Sequence, residues 1–291
     1  MRYAEVEQID GRYRLLRLGS CDFEFDVAHE VFERRDPEHL ETVSEAIGDV
    51  FSGSVASEVR VVAHPPEGLA FFTPVAAGTP ASATETQLRR EAALLAEGGR
   101  FGGVHLTSDV ACEATLADGA EVTWHQVLAV PRLIHTRFEQ VLRVLPAHVF
   151  RLMTSMHGVA NALNRLVSKG LAPPEDAPYT LSLGWYPTHV EGLITRQGQW
   201  RFSQPFDPGA PADAAYFTLA LLDHLGLAPS EVGRVFFYGV ALKVGAFELF
   251  EKLFESMPVK LNAIPVVDLD PSSLSSEFDV EAYAPCIGVT L

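Results

Sequence analysis

Cysteine is scarce and poorly placed for a staple. Cys21, Cys112 and Cys286 are odd in number, widely spaced and without a CxxC pair. That argues against both a disulfide framework and a zinc site. Positive charge is short as well: 22 Lys and Arg stand against 38 Asp and Glu, a formal net charge of −16. A direct role on nucleic acid or on an anionic membrane surface rewards clustered cations, so neither is expected. Long apolar runs are missing too. The longest uncharged stretch, Gly68 to Thr84, is broken by Pro74 and Pro80 and cannot span a bilayer. The opening MRYAEVEQID carries charge at once and does not read as a secretory signal. There is no Gly-x-Ser-x-Gly, His-Glu-x-x-His or Walker motif. The histidines are scattered, with no two at the helical spacing of metal ligands, so no metal site is expected.

What remains is a globular composition, 47% hydrophobic and 21% charged over 291 residues, enough for two domains or one duplicated architecture. Tyr3 to Leu18 reads as a hairpin turning at Asp10-Gly11. CDFEFDV (Cys21 to Val27) alternates Phe23 and Phe25 with acids, as a half-buried third strand would. A helix over about Glu38 to Phe51 and a strand over Glu58 to His64 follow. After residue 178 the order recurs. Tyr179 to Leu183 is strand-like, HVEGLI and QWRFSQPFD form a hairpin around Arg196 to Gly198, and Asp213 to Leu225 is a helix stopped by Gly226. Arg234 to Val240 is the closing strand. A strand-strand-strand-helix-strand unit therefore occurs twice.

Between the copies, Thr84 to Ala96 reads as a helix with a capping box, Ser82-x-x-Glu85, and a stripe of Leu88, Ala92 and Leu95. DVACEATLADGAEVTWHQVLAVP is a hairpin turning at Asp118-Gly119. A helix through Phe138, Val141, Leu142 and Leu145, a short strand at Val149 to Leu152, and a helix carrying Met156, Val159, Ala160, Leu163 and Leu166 complete the first half. KGLAPPEDAP, residues 169–178, is the expected linker. The expected domains are 1–168, with an inserted subdomain at about 66–126, and 179–291.

Duplicated units of this kind are the core of the actin-like ATPase fold, and the chain resembles that superfamily. It looks like the pilus-assembly PilM and cell-division FtsA families, with the cytoplasmic domain of the type II secretion L protein as a degenerate cousin. GLAFFTPVAAGTPASATETQLRREAALLAEG resembles the entry to the family's inserted subdomain, and HQVLAVPRLIHTRFEQVLRVL its return strand and following helix. FFYGVALKVGAFELFEKLFESMPVKLNAIPV resembles the turn and helix that flank adenosine, and EAYAPCIGVTL the terminal helix. The resemblance implies an α/β, duplicated RNase H-like fold: two lobes, each with a mixed five-stranded-type sheet flanked by helices, plus the inserted subdomain.

It also implies a nucleotide site built on hairpins of the form Asp-x-Gly-x-x-x-Thr, whose carboxylate positions Mg²⁺. In LSLGWYPTHVEGLI, Gly184 and Thr188 match, but Ser182 stands at the acid position. The adenosine turn is thinned to Tyr238-Gly239-Val240-Ala241, with Gly245 after it. At the chain start the first strand and its phosphate turn are absent, so either the true start lies upstream or that loop never existed. Ser182, Gly184, Thr188, Gly239 and Gly245 are thus the vestigial cleft set. The plainer alternative makes the glycines turn and packing residues, Thr188 a cross-strand pair and His189 an ordinary lone histidine. The acid pairs Asp22/Glu24 and Asp268/Asp270 read as surface carboxylates. The face Phe247, Phe250 and Phe254 reads as packing against a sheet.

The expectation is therefore a non-catalytic actin-like scaffold with no catalytic residue and no cofactor. It is cytoplasmic, held at the inner membrane only through a partner, and it binds another protein of a pilus or secretion assembly. Phe71, Phe72, Leu88 and Leu95 are the expected partner contacts, and a homo-oligomer is left open. The alternative is a nucleotide-dependent ATPase or small-molecule kinase using ATP and Mg²⁺, with Asp207 or Asp223 supplying the missing acid.

Overall fold

The computed structural model describes residues 1–62, 68–95, 103–207, 209–254, 256–269 and 278–291. The chain divides into two units, one of Met1 and Gly19–Thr154, the other of Arg2–Leu18 and Ser155–Leu291. Strands β1 (Arg2–Ile9) and β2 (Arg12–Ser20) form the expected hairpin. Asp10 and Gly11 take φ of 49° and 77°, the left-handed pair that an Asp-Gly hairpin turn requires. The far edge of β2 is bonded to Asp268, whose N–H donates to the Tyr13 carbonyl while Leu15 N–H donates back at 3.1 Å. That bond ties β2 into the second unit.

In the first unit the expected strand at Cys21 to Val27 does not form. Phe23 and Phe25 instead pack against Val31, Val43, Ile47 and Val141. Their alternation with acids records which side chains are buried, and says nothing about whether a neighbouring strand pairs the backbone. One turn of π-type helix over Ala28–Glu33 follows, then α1 (Leu40–Val50) and β3 (Glu58–Val62). The expected residues 63 and 64 of that strand lie outside the described residues. Strands β4 (Leu69–Ala76), β5 (Val104–Thr115) and β6 (Glu121–Pro131) make an antiparallel sheet in the order β4-β6-β5.

Helix α2 (Ala81–Leu95) covers that sheet by burying Leu88 against Val75 and Val127. It begins ahead of the expected box. Pro80 accepts from the N–H groups of Ala83 and Thr84, Ser82 lies inside the first turn, and Glu85 pairs with Arg89 at 2.8 Å. Helix α3 (Arg132–Leu142) returns against α1, and β7 (Val149–Met153) pairs in parallel with β3. Arg137 of α3 is 2% exposed and donates to the carbonyls of Phe32 and Arg35 at 2.7 and 3.0 Å.

The second unit continues with α4 (Ser155–Ser168), β8 (Tyr179–Trp185), β9 (Val190–Arg196), β10 (Gln199–Phe206), α5 (Pro211–His224), β11 (Val232–Gly239), α6 (Val244–Phe254), β12 (Val259–Lys260) and α7 (Ala284–Val289). Its sheet runs β10-β9-β8-β11-β12, an antiparallel meander with β11 parallel to β8 and β12 parallel to β11. This is the expected strand-strand-strand-helix-strand unit, complete. In the first unit the described strands give the β3-β7 pair and the three-stranded sheet, with no five-stranded counterpart among them. Residues 169–178 join α4 to β8 within the second unit.

Alternation along β8 divides the unit. Leu181, Leu183 and Trp185 enter an apolar core with Leu222, Val235, Phe237 and Phe250. Thr180, Ser182 and Gly184 point the other way yet are also buried. Helix α4 lies against β9 and β10, and it meets α7 where a Cβ on Gly158 would come within 2.4 Å of the Pro285 carbonyl oxygen.

Candidate functional site

The β8–β9 hairpin is the place where the sequence puts its phosphate turn. Trp185 pairs with Val190, and Tyr186 N–H donates to the His189 carbonyl at 3.0 Å, leaving Pro187 and Thr188 exposed at the tip. The ring of Pro187 fixes φ at the first loop position, which stiffens the turn. Behind the tip the register aligns three residues across three strands: Tyr238 of β11 lies beside Gly184 of β8, which lies beside Glu191 of β9. Gly184 is the gap in that row. A Cβ there would lie 2.5 Å from Cζ of Tyr238, so the missing side chain lets the phenol cross β8 and reach Glu191.

Glu191 is 2% exposed, and hydroxyl groups surround its carboxylate. Tyr238 donates to it at 2.8 Å, and Ser155 Oγ lies 2.5 Å from both oxygens. His189 Nε2 lies 3.3 Å from Oε1, and its Nδ1 lies 3.0 Å from Thr188 Oγ1. The Tyr186 ring stacks on the imidazole at 4.9 Å with the planes 14° apart. Burial, reinforced by the charge of Glu191, pushes both the Tyr186 and Tyr238 phenols well above their ordinary value. Both therefore stay protonated and able to donate at any physiological pH.

Of the other expected cleft residues, Ser182 and Gly239 are used up inside the protein, whereas Gly245 is exposed. Ser182 is fully buried, and its Oγ has no hydrogen-bond partner. Asp207 and Asp223, the substitute acids, are both exposed, whereas Ser182 is enclosed. Gly239 has φ of 101°, and a Cβ on it would lie 2.4 Å from the Trp185 carbonyl oxygen. That oxygen accepts from the N–H groups of both Val240 and Ala241 at 3.0 Å, so two donors at the adenosine-turn position are already engaged. Gly245 lies in the first turn of α6 with open space around it. Among the described residues no cluster of three His, Cys, Asp or Glu could hold a metal ion.

The expected partner contacts do not share one surface. Phe71 and Phe72 are adjacent in β4, so they face opposite sides of the sheet. Phe71 packs against the core of Val75, Leu88 and Val127, whereas Phe72 stacks on Trp124 at 5.9 Å. Leu88 is 1% exposed and belongs to that core, which removes it as a contact. Leu95, 53% exposed at the end of α2, is open, as is Leu94 beside it. Glu191 and Ser155 were not singled out in the sequence, and Tyr238 was named there only within the adenosine turn. The available signal was a lone acid in the apolar run HVEGLI, because a charge in a buried strand demands partners.

A strand meander with a parallel continuation, helix-covered on both faces, is the sheet of one half of an actin-like ATPase fold, and the structures this chain matches have that fold. One is the PilM-PilN type IV pilus biogenesis complex: TM-score 0.74, 14% sequence identity, 98% of this chain and 93% of that one covered. Another is a protein of actin-like ATPase fold and unknown function from Bacteroides thetaiotaomicron, with TM-score 0.52, 10% identity, and 94% and 87% covered. No known family's sequence model matches the chain, and no curated protein matches it. At these identities the likeness establishes the fold alone.

Proposed function

We propose that this chain is a non-catalytic actin-like scaffold that binds another protein at the cytoplasmic side of a pilus or secretion assembly. One observation carries the reading. Where an actin-like ATPase needs an open phosphate turn and a carboxylate for Mg²⁺, Ser182 is enclosed and Gly184 is covered by the Tyr238 ring. A ligand would have to displace a buried phenol hydrogen-bonded to Glu191 before it could reach that turn. The solved PilM-PilN complex, of the same fold, supports the choice of partner class. No helix of the described residues is long and apolar enough to cross a membrane, which fits attachment through a partner.

The test is thermal unfolding of the full chain in millimolar Mg-ATP. A scaffold shows no change in Tm. A nucleotide at 100 times its Kd adds about 2.7 kcal/mol of stability, and a shift of that size would establish the ATPase or kinase reading instead. Partner binding is tested separately by titrating the chain with the cytoplasmic peptide of a pilus or secretion membrane subunit.

A further inference from the structure

We infer that Thr188 is an activated hydroxyl that accepts an acyl group from a neutral donor, an activated ester or thioester. Three side chains in series carry this. Thr188 Oγ1 is 3.0 Å from His189 Nδ1, and His189 Nε2 is 3.3 Å from Glu191 Oε1. A nucleophile within hydrogen-bond reach of a base, itself oriented by a third group, is the arrangement that makes a hydroxyl reactive. Exposure falls along the series: Thr188 is exposed, the His189 side chain is 18% exposed, and that of Glu191 is 3% exposed. The reactive end therefore faces solvent while the orienting end is enclosed.

The tautomer follows from the carboxylate. Ser155 and Tyr238 direct hydroxyls at Glu191, so its oxygens accept, and the imidazole completes the set by donating Nε2–H. The Nδ1 lone pair is then left facing Thr188. Tyr186 holds the ring plane by stacking, and Glu191 and Tyr186 are positioning residues in this scheme.

In the reaction, Oγ1 bonds to the carbonyl carbon as its proton passes to Nδ1. The bond from carbon to the leaving alkoxide or thiolate then breaks, and the proton on Nδ1 goes to that group. The product is an ester on Thr188, and no electrons are exchanged. A neutral donor fits better than a phosphoryl donor. The Glu191 carboxylate lies directly behind His189, at 3.3 Å, in a chain of net charge −16, and an incoming phosphate would meet that like charge. The inference does not depend on the scaffold reading, and either can fail without the other.

The test treats the full chain with p-nitrophenyl acetate, quenches in acid and maps the acetyl group by peptide mass spectrometry. One fast acetyl is expected on Thr188 in the wild type and in Thr188→Ser, and none in Thr188→Val. Thr188 is exposed, so Thr188→Val is expected to keep the wild-type Tm. His189→Gln should slow the labelling about 100-fold, the low end of general-base catalysis. Acetylation confined to lysines or to His189, or a fast phase that survives in Thr188→Val, would overturn the proposal.

Discussion

The two faces of strand β8 are both buried, yet they are built on different chemistry. One face presents Leu181, Leu183 and Trp185 to a core of aliphatic and aromatic side chains. The other presents Thr180, Ser182 and Gly184, all enclosed. Stabilisation of the first face is non-directional and roughly proportional to apolar area. The second depends on particular hydrogen bonds, chiefly those on Glu191. Burial alone thus does not distinguish packing from specification; the partners of the buried atoms do.

Four changes probe that contrast, in falling order of effect. Ser182→Asp places an acid where the resemblance to actin-like ATPases expects one, but in an enclosed site. Keeping it protonated at pH 7, about three units above the ordinary aspartate value, costs about 4 kcal/mol, and the larger side chain adds overpacking, so urea unfolding should show severe loss, with no gain in Mg-ATP binding. Recovery of nucleotide-dependent stability would break the comparison, because the polar face would then be a working site. Phe250→Ala on the apolar side should cost about 3–5 kcal/mol, since Phe250 is fully buried against Phe237 and Phe254. Glu191→Ala should cost about 1–3 kcal/mol for each hydroxyl left without an acceptor, whereas Glu191→Gln, which keeps an acceptor, should cost less. Equal losses in the two would mean that Glu191 only fills space. Ser182→Ala removes a buried hydroxyl that has no partner, so stability should change by less than about 1 kcal/mol, in the favourable direction.

A contrast of the same kind exists in the first unit and gives a pH dependence. His105 and His135 stack at 3.5 Å with their planes 19° apart. Burial first, then the neighbouring His135, lowers the His105 pKa; Arg89 and Arg132 act the same way, and Glu139 opposes them. The folded state therefore binds a proton at His105 less readily than the unfolded chain does. This stabilisation is fully present above the unfolded value, near 6.5, and is lost as pH falls below it. Partial solvation keeps the slope under the ~1.4 kcal/mol per pH unit of a fully enclosed group. The urea midpoint of the wild type should fall more between pH 7.5 and 5.5 than that of His105→Phe, which keeps the stack. Parallel falls would sink this assignment.

Much of the second unit was readable in advance. Asp-Gly and Gln-Gly turns, a glycine stop after α5 and period-2 strands are local signals, and each appears where expected. Signals that needed a distant partner failed. Phe23 and Phe25 alternate like a strand but pack onto helices. Ser82 and Glu85 have the spacing of a capping box, yet Pro80 starts the helix a residue ahead of Ser82. Leu88 and Ala92 of the α2 stripe are covered by the sheet of β4, β5 and β6, whereas Leu95 of the same stripe stays exposed. Of the cleft residues, Ser182 was legible as a missing acid, but its enclosure was not.

The sequence by itself determined the order of elements, the acidic balance and the hydroxyl rather than carboxylate at position 182, because these depend on residue identity and local backbone preference. Only the tertiary structure decided that Tyr238 passes over Gly184 to Glu191, and that Ser155 and His189 meet the same carboxylate. Those residues lie up to 83 positions apart in the chain. The register between strands and the seating of α4, not any local pattern, bring them within hydrogen-bond reach.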